Sequence, residues 1–362
     1  MRACVLVALV ACKQHGAAPA VHDAPRAPDA PKPAADASGA AADTTVVGPR
    51  PMKLAATGDT TCVVMSNLKA RCWGATTLEL LAVKDLQLAG DRGCALLDDN
   101  SVACWTADAP RPVGVLGGAK QLFVQPDRAC ARLANDKLVC WGNVDAAGHP
   151  ARTRTPRAPT AVVGLDHVAE LSAHAARGDD GRMWWWGDGG KPKLLEASGV
   201  AELGEHAQRI CGRLGNGSVH CVGSPRCAPP PPPAKPTKKP KGKPKPPVVV
   251  EAGEALALPV ARQLAFGLGL CVVTTDGELV CGDGCKRVDP PRLTGVERMV
   301  DRCAVKRDGA ITCFARGMAS QAPVKSATSL VVGRTHACAI VERDVKCWGG
   351  NEHHQLDYSA AP

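Results

Sequence analysis

Apolar residues in this chain fall in short bursts that alternate with polar positions and end at Gly, Asn or Asp. Leu54, Leu86, Leu122, Leu203 and Leu330 each lie eight residues ahead of a cysteine, inside stretches such as Leu86-Gln87-Leu88 and Leu330-Val331-Val332. Bursts of that length with turn residues between them read as β-strands rather than amphipathic helices. A second cysteine then follows the first at a fixed interval. Nine residues separate Cys62 from Cys72, Cys94 from Cys104, Cys130 from Cys140, Cys211 from Cys221, Cys271 from Cys281 and Cys303 from Cys313. Eight separate Cys338 from Cys347. One further unit keeps the spacing without cysteines, with Ala175 and Trp185 in their places.

Folded as an antiparallel hairpin with its cysteines opposed, the nine-residue interval leaves a three-residue loop such as Thr275-Asp276-Gly277. The last residue of such a loop commonly takes the left-handed conformation that favours Gly or Asn. That position holds Leu68, Asn100, Asp136, Gly181, Gly217, Gly277 and Gly309, so the turn chemistry supports the register independently. Opposed residues on antiparallel strands stand about 4.5–5.5 Å apart, which a disulfide can bridge. Each pair therefore predicts a cross-strand disulfide. Zinc is the rival use of paired cysteines, but it favours short C-x₂₋₄-C knuckles. No metal site is expected.

Tryptophan marks the same register. Trp73, Trp105, Trp141 and Trp348 directly follow the second cysteine of their units, Trp186 takes that place in the cysteine-less unit, and Trp184 and Trp185 adjoin it. These are expected to pack within or between repeats, with an aromatic ligand-binding stripe as the alternative. Eight hairpin units, each offering at least three short strands, suggest a radial all-β propeller that exposes few sheet edges.

Units of the form His-x-Cys-Ala, then Asp-Gly, then Cys-Trp-Gly resemble the repeats of the regulator-of-chromosome-condensation (RCC1) family. The fullest match is Thr335-His336-Ala337-Cys338-Ala339, followed by Cys347-Trp348-Gly349-Gly350-Asn351 and Gln355-Leu356. His354 and Asp357 replace two glycines of the family string. The resemblance covers residues 52–357 and implies an RCC1-like β-propeller of the compact bacterial form. It also implies seven blades by the family norm, against eight hairpins counted. Either the ring has eight blades, or two hairpins share a blade or form a cap.

The ends and one insertion have a different composition. Residues 1–11 carry one basic residue, Arg2, and a short apolar run too brief for a bilayer, which needs about 20 apolar residues. They read as a secretory signal. Leu9-Val10-Ala11-Cys12 resembles a bacterial lipobox, which would acylate Cys12 and discard Cys4; an ordinary signal peptide that contains a cysteine is the alternative. Lys13 is not Asp, which favours the outer membrane over inner-membrane retention. Residues 12–51 are mostly Ala, Pro and Asp and read as a disordered tether. Residues 358–362 form a short tail.

The net charge of +9 first suggests nucleic-acid binding. Six lysines (Lys235, Lys238, Lys239, Lys241, Lys243 and Lys245) lie in the Pro-rich insertion 228–247, however, so the remainder carries only +3 (9 − 6). The insertion is expected to be an extended cationic arm, either a solvated rim loop or a contact for anionic envelope polymers. No nucleic acid is expected. Cys227 and Cys285 flank the arm and either bridge two repeats or remain free or intermolecular. Eighteen cysteines favour an oxidising compartment.

No nucleophile elbow, phosphate-binding loop or H-E-x-x-H motif is present. His353-His354 falls on loop positions, and Asp98-Asp99 and Asp179-Asp180 fall in turns where Asp serves the backbone. The expectation is a monomeric, non-catalytic binding module without cofactor, lipid-anchored at the cell envelope and facing an unknown protein or anionic polymer. The alternatives are a secreted or surface enzyme inhibitor, a guanine-nucleotide exchange factor and an unrecognised envelope enzyme.

Overall fold

The hairpins set the architecture. In a computed structural model, the seven cysteine pairs are Cα partners on adjacent antiparallel strands. Each pair is a disulfide with Cα atoms 3.9 to 4.1 Å apart. The structure describes Gly48–Tyr358 except residues 107–109, 114–117, 144–156, 186–191, 197, 207–208, 223–253, 256–257, 283–286, 289–292 and 316–317. Cys12, the lysine arm, Cys227, Cys285 and Trp186 lie outside the described residues.

Each hairpin belongs to its own antiparallel sheet, a blade, and there are eight of them. Blade 1 is Pro51–Thr57, Thr60–Met65, Ala70–Gly74 and Leu78–Leu80. Blades 2 to 8 occupy residues 83–112, 119–166, 168–196, 200–255, 261–288, 296–325 and 327–349. Strands follow chain order in every sheet; seven sheets have four strands, and blade 8 has three among the described residues. Contacts run between the first strands of successive blades and from blade 8 back to blade 1, which closes the ring. Between the inner strands of blades 3 and 4 Gln121 makes a link, its Nε2 donating to the Ala169 carbonyl at 3.1 Å. The chain is an eight-bladed β-propeller. The family norm of seven is therefore corrected: no two hairpins share a blade and none is a cap. The fourth strands, absent from the sequence reading, are as short as two residues in Arg111–Pro112 and Arg287–Val288.

The inner strands show why the bursts sit where they do. The leucine eight residues before the first cysteine is buried in Leu54, Leu86, Leu122 and Leu330, at 5 % exposure or less. Burying such a side chain contributes about 1.5–3 kcal/mol. The first and third residues of all eight inner strands bracket a register shift, as at Pro51/Lys53 and Val83/Asp85. A bulge adds one unpaired residue and increases local twist. It leaves the third residue, usually polar, beside the next blade.

The tryptophans join blades. Trp105 packs with Cys62, Cys72 and Val64 of blade 1, Trp141 with Cys94 and Leu96 of blade 2, and Trp73 with Cys338 and Ile340 of blade 8. Each of these three rings is 5 % exposed and rests on the preceding blade's disulfide layer. Gly93 opposes Trp105, and a Cβ there would come within 2.2 Å of the indole. Only glycine admits that ring.

Candidate functional site

The left-handed loop residue has a second role that its φ angle alone does not reveal. Leu68, Asn100, Asp136, Gly181, Gly217, Gly277 and Gly309 all have positive φ, between 62° and 86°. In each case the residue's carbonyl accepts an N–H from the start of the next inner strand. The donors are Val83, Ala119, His167, Val200, Ala261, Val296 and Ser326, at 2.7 to 3.0 Å. The middle loop residue of these seven loops is always Asn or Asp, and in six of them its Oδ1 accepts the N–H two residues on, as Asn67 does from Lys69 and Asp308 from Ala310; in the loop with Asp276 the Glu278 N–H goes to Thr274 Oγ1 instead. Asp99 and Asp180 are among the six. Sequence reasoning gave this role to Asp99 and Asp180 and missed its recurrence, although Asn67, Asn135, Asn216, Asp276 and Asp308 stand in the same register.

Side chains on the third inner-strand residue add a polar girdle. Glu170 accepts the N–H of Leu203 at 2.7 Å, Glu202 that of Leu264 at 2.9 Å, and Gln263 bonds both backbone groups of Met299. Arg298 donates to the Ala327 carbonyl, and Lys53 pairs with Asp85. Arg177 and Arg213 bond Glu170 and Glu202 from the second strand of the same blade, at 2.9 and 3.0 Å. Buried backbone groups need partners, so these bonds hold the blades in register. On the opposite face, Arg128 is fully buried and donates to the carbonyls of Ser172 and Ala173 in the next blade.

One junction departs from this scheme. The inner strand of blade 1 begins at Pro51, which has no N–H to offer blade 8, and the Arg50 N–H is taken by Ser66 Oγ within blade 1. The opposite face carries a side-chain latch in its place. His336 Nε2 and Thr61 Oγ1 are 2.6 Å apart, and Arg334 pairs with Asp59. Gln355, fully buried, donates to Asp59 Oδ1 at 3.3 Å, and its carbonyl accepts the indole N–H of Trp73 at 2.9 Å. Burial opposes ionisation of Asp59, but the Arg334 bond and charge outweigh it and hold the carboxyl below its ordinary range. Burial holds His336 below the ordinary histidine range; Asp59 works against that shift and Arg302 adds to it. His354 bonds Asp357, and His353 Nε2 lies 3.9 Å from Asp59. The histidine pair is thus split between the latch and the solvent.

Two recesses are lined by described residues alone. The smaller, about 370 Å³, lies on the inner strands beside Gln87, Gln121, Glu170 and Ser172. The larger, about 620 Å³, opens beside the latch and is lined by Arg302, Phe314, Ser320, Arg334 and Trp348. Trp348 is half-buried, unlike Trp73, Trp105 and Trp141. Among the described residues no three His, Cys, Asp or Glu side chains are grouped to hold a metal ion.

The architecture thus defines a disulfide-stapled eight-bladed propeller. No family model and no curated protein matches the chain. Solved structures similar to it include yeast (Saccharomyces cerevisiae) Prp20p, described with its binding to Gsp1p and histones. That match has 15 % identity over 64 % of this chain and 71 % of Prp20p, with a TM-score of 0.42. The computationally designed protein Ika8 matches at 12 % identity over 83 % of this chain and 96 % of its own, with a TM-score of 0.46. Human WBSCR16 matches at 13 % identity over 49 % of this chain, with a TM-score of 0.40, and the match spans 62 % of that protein's length. The blade count rests on the strand pairing of this chain itself.

Proposed function

We propose that this protein is a non-catalytic binding module of the bacterial cell envelope, a rigid ring that docks a protein partner. The observation that carries this reading is the cleft of about 620 Å³ where Trp348 and Phe314 stand beside Arg302 and Arg334. Trp and Arg are the residue types that most often anchor protein interfaces. Clamps and staples hold the walls of the cleft, so little ordering entropy opposes docking.

The seven disulfides support folding in an oxidising compartment. In this reading Cys12 carries the lipid, residues 12–51 are the tether, and Lys235, Lys238, Lys239, Lys241, Lys243 and Lys245 approach anionic envelope polymers. Affinity capture from envelope extracts tests the proposal. The wild-type chain is expected to retain a specific partner that Trp348→Ala and Arg334→Glu each lose. Equal capture by all three proteins rejects the cleft as the binding surface. Mass spectrometry of the exported protein tests acylation of Cys12.

A further inference from the structure

The latch between blades 8 and 1 rests on a histidine where three other blades place a permanent cation. Arg92, Arg128 and Arg209 each stand two residues before the first cysteine of their blades, and His336 holds that position in blade 8. His336 is 2 % exposed, and Gly333 packs so closely on its ring that a Cβ there would come within 2.2 Å of Cε1. Its Nε2 meets Thr61, while its Nδ1 has no hydrogen-bond partner among the described residues. This is also the junction where Pro51 cannot supply the backbone clamp present at the other seven.

We propose that the blade 8–blade 1 junction is an acid-sensitive latch, released by protonation of His336 before any other junction loosens. The charged ring carries a proton on both nitrogens, and the N–H at Nδ1 is buried and without an acceptor among the described residues. The charged groups facing the ring do not relieve this. Asp59, on the blade 1 turn, is already committed to Arg334 and Gln355, with His353 3.9 Å away. Arg302, from blade 7, adds positive charge and has Asp301 3.7 Å away. The neutral imidazole is favoured only while the junction is closed, so the closed ring binds fewer protons than the open one. Closure is therefore fully favoured above the ordinary histidine value of 6.5 and weakens as pH falls below it. Asp59 is held below its ordinary 3.8 and stays ionised across that window, so it keeps Arg334 and does not drive the release.

Hydrogen exchange on the full, oxidised chain at about pH 7.5 and pH 5.5, corrected for intrinsic rates, tests this. Protection of Thr60–Met65 and His336–Val341 is expected to fall by up to about tenfold per pH unit below 6.5. The blade 2–blade 3 junction is expected to hold. In His336→Gln, whose amide reaches Thr61 but takes no proton, the pH dependence is expected to vanish. A uniform loss across all blades, or the same step in His336→Gln, overturns the proposal. Should that variant fail to fold, NMR titration of the wild-type His336 ring decides: titration below 6.5 supports the latch, and titration at or above 6.5 overturns it.

Discussion

Blades 3 and 4 solve the same packing problem by different chemistry. In blade 3, Cys130 and Cys140 oppose each other, fully buried, and are covalently joined. In blade 4, Ala175 and Trp185 oppose each other at the same register positions. Ala175 is fully buried and the half-buried indole packs toward Val200 and Ile210 of blade 5, with Lys193 over its face at 5.1 Å. Trp184 packs back onto the blade 3 cluster that holds Cys130 and Cys140, under Arg182 at 5.3 Å. The propeller needs volume between neighbouring hairpins at this position; it does not need a covalent bond. A disulfide fills the space and also restricts the unfolded chain, by about 2–3 kcal/mol for a loop of this size. The tryptophan pair fills the space through burial and cation–π contact.

The largest expected effect comes from removing a staple. Cys130→Ala with Cys140→Ala is expected to lower stability by about 2–5 kcal/mol, read from urea midpoints. A loss below about 1 kcal/mol would mean that the bond merely decorates the hairpin. Removing the indole comes next: Trp185→Ala is expected to cost about 2 kcal/mol, less than the 3–5 of a fully buried tryptophan. That cost is expected to persist under reducing conditions, where the Cys130–Cys140 contribution disappears. Converting one solution into the other is more nearly balanced. Ala175→Cys with Trp185→Cys is expected to form an eighth disulfide, scored by thiol titration, with a net change within about 1 kcal/mol because the lost indole offsets the new bond. Free thiols in that variant would show that blade 4 lacks the hairpin geometry of blade 3. The smallest effect concerns the turn. Leu68 occupies the left-handed position with φ 62°, where blade 2 has Asn100 at 66°. Leu68→Asn is expected to gain up to about 1 kcal/mol, measured by thermal unfolding.

Local requirements were legible in the residues. A three-residue turn needs a left-handed third residue, and opposed cysteines need a fixed interval, so both appear as spacing. The Asx residue in the middle of each three-residue turn was equally visible, though the capping bond that six of the seven make became apparent only with the loops in place. The two-residue fourth strands were not legible. Arg111–Pro112 and Arg287–Val288 are too short to carry an alternating pattern, and their pairing comes from the neighbouring strand. The candidate cleft was legible only in Trp348, since Arg302, Phe314 and Arg334 meet it through folding rather than spacing.

The sequence by itself determined the hairpin register, the position of each disulfide within its hairpin and the number of repeating units. These depend on bonds and dihedral angles within about ten residues of one another. The tertiary structure decided that every unit becomes a separate blade, that a loop carbonyl clamps the next strand, and that Arg128 can be buried whole. It also decided how the ring closes, by joining Asp59 and Thr61 to Arg334, His336 and Gln355 across 275 or more residues. No local spacing encodes such partners. Their free energy is gained only when blades 8 and 1 meet and water leaves the space between them.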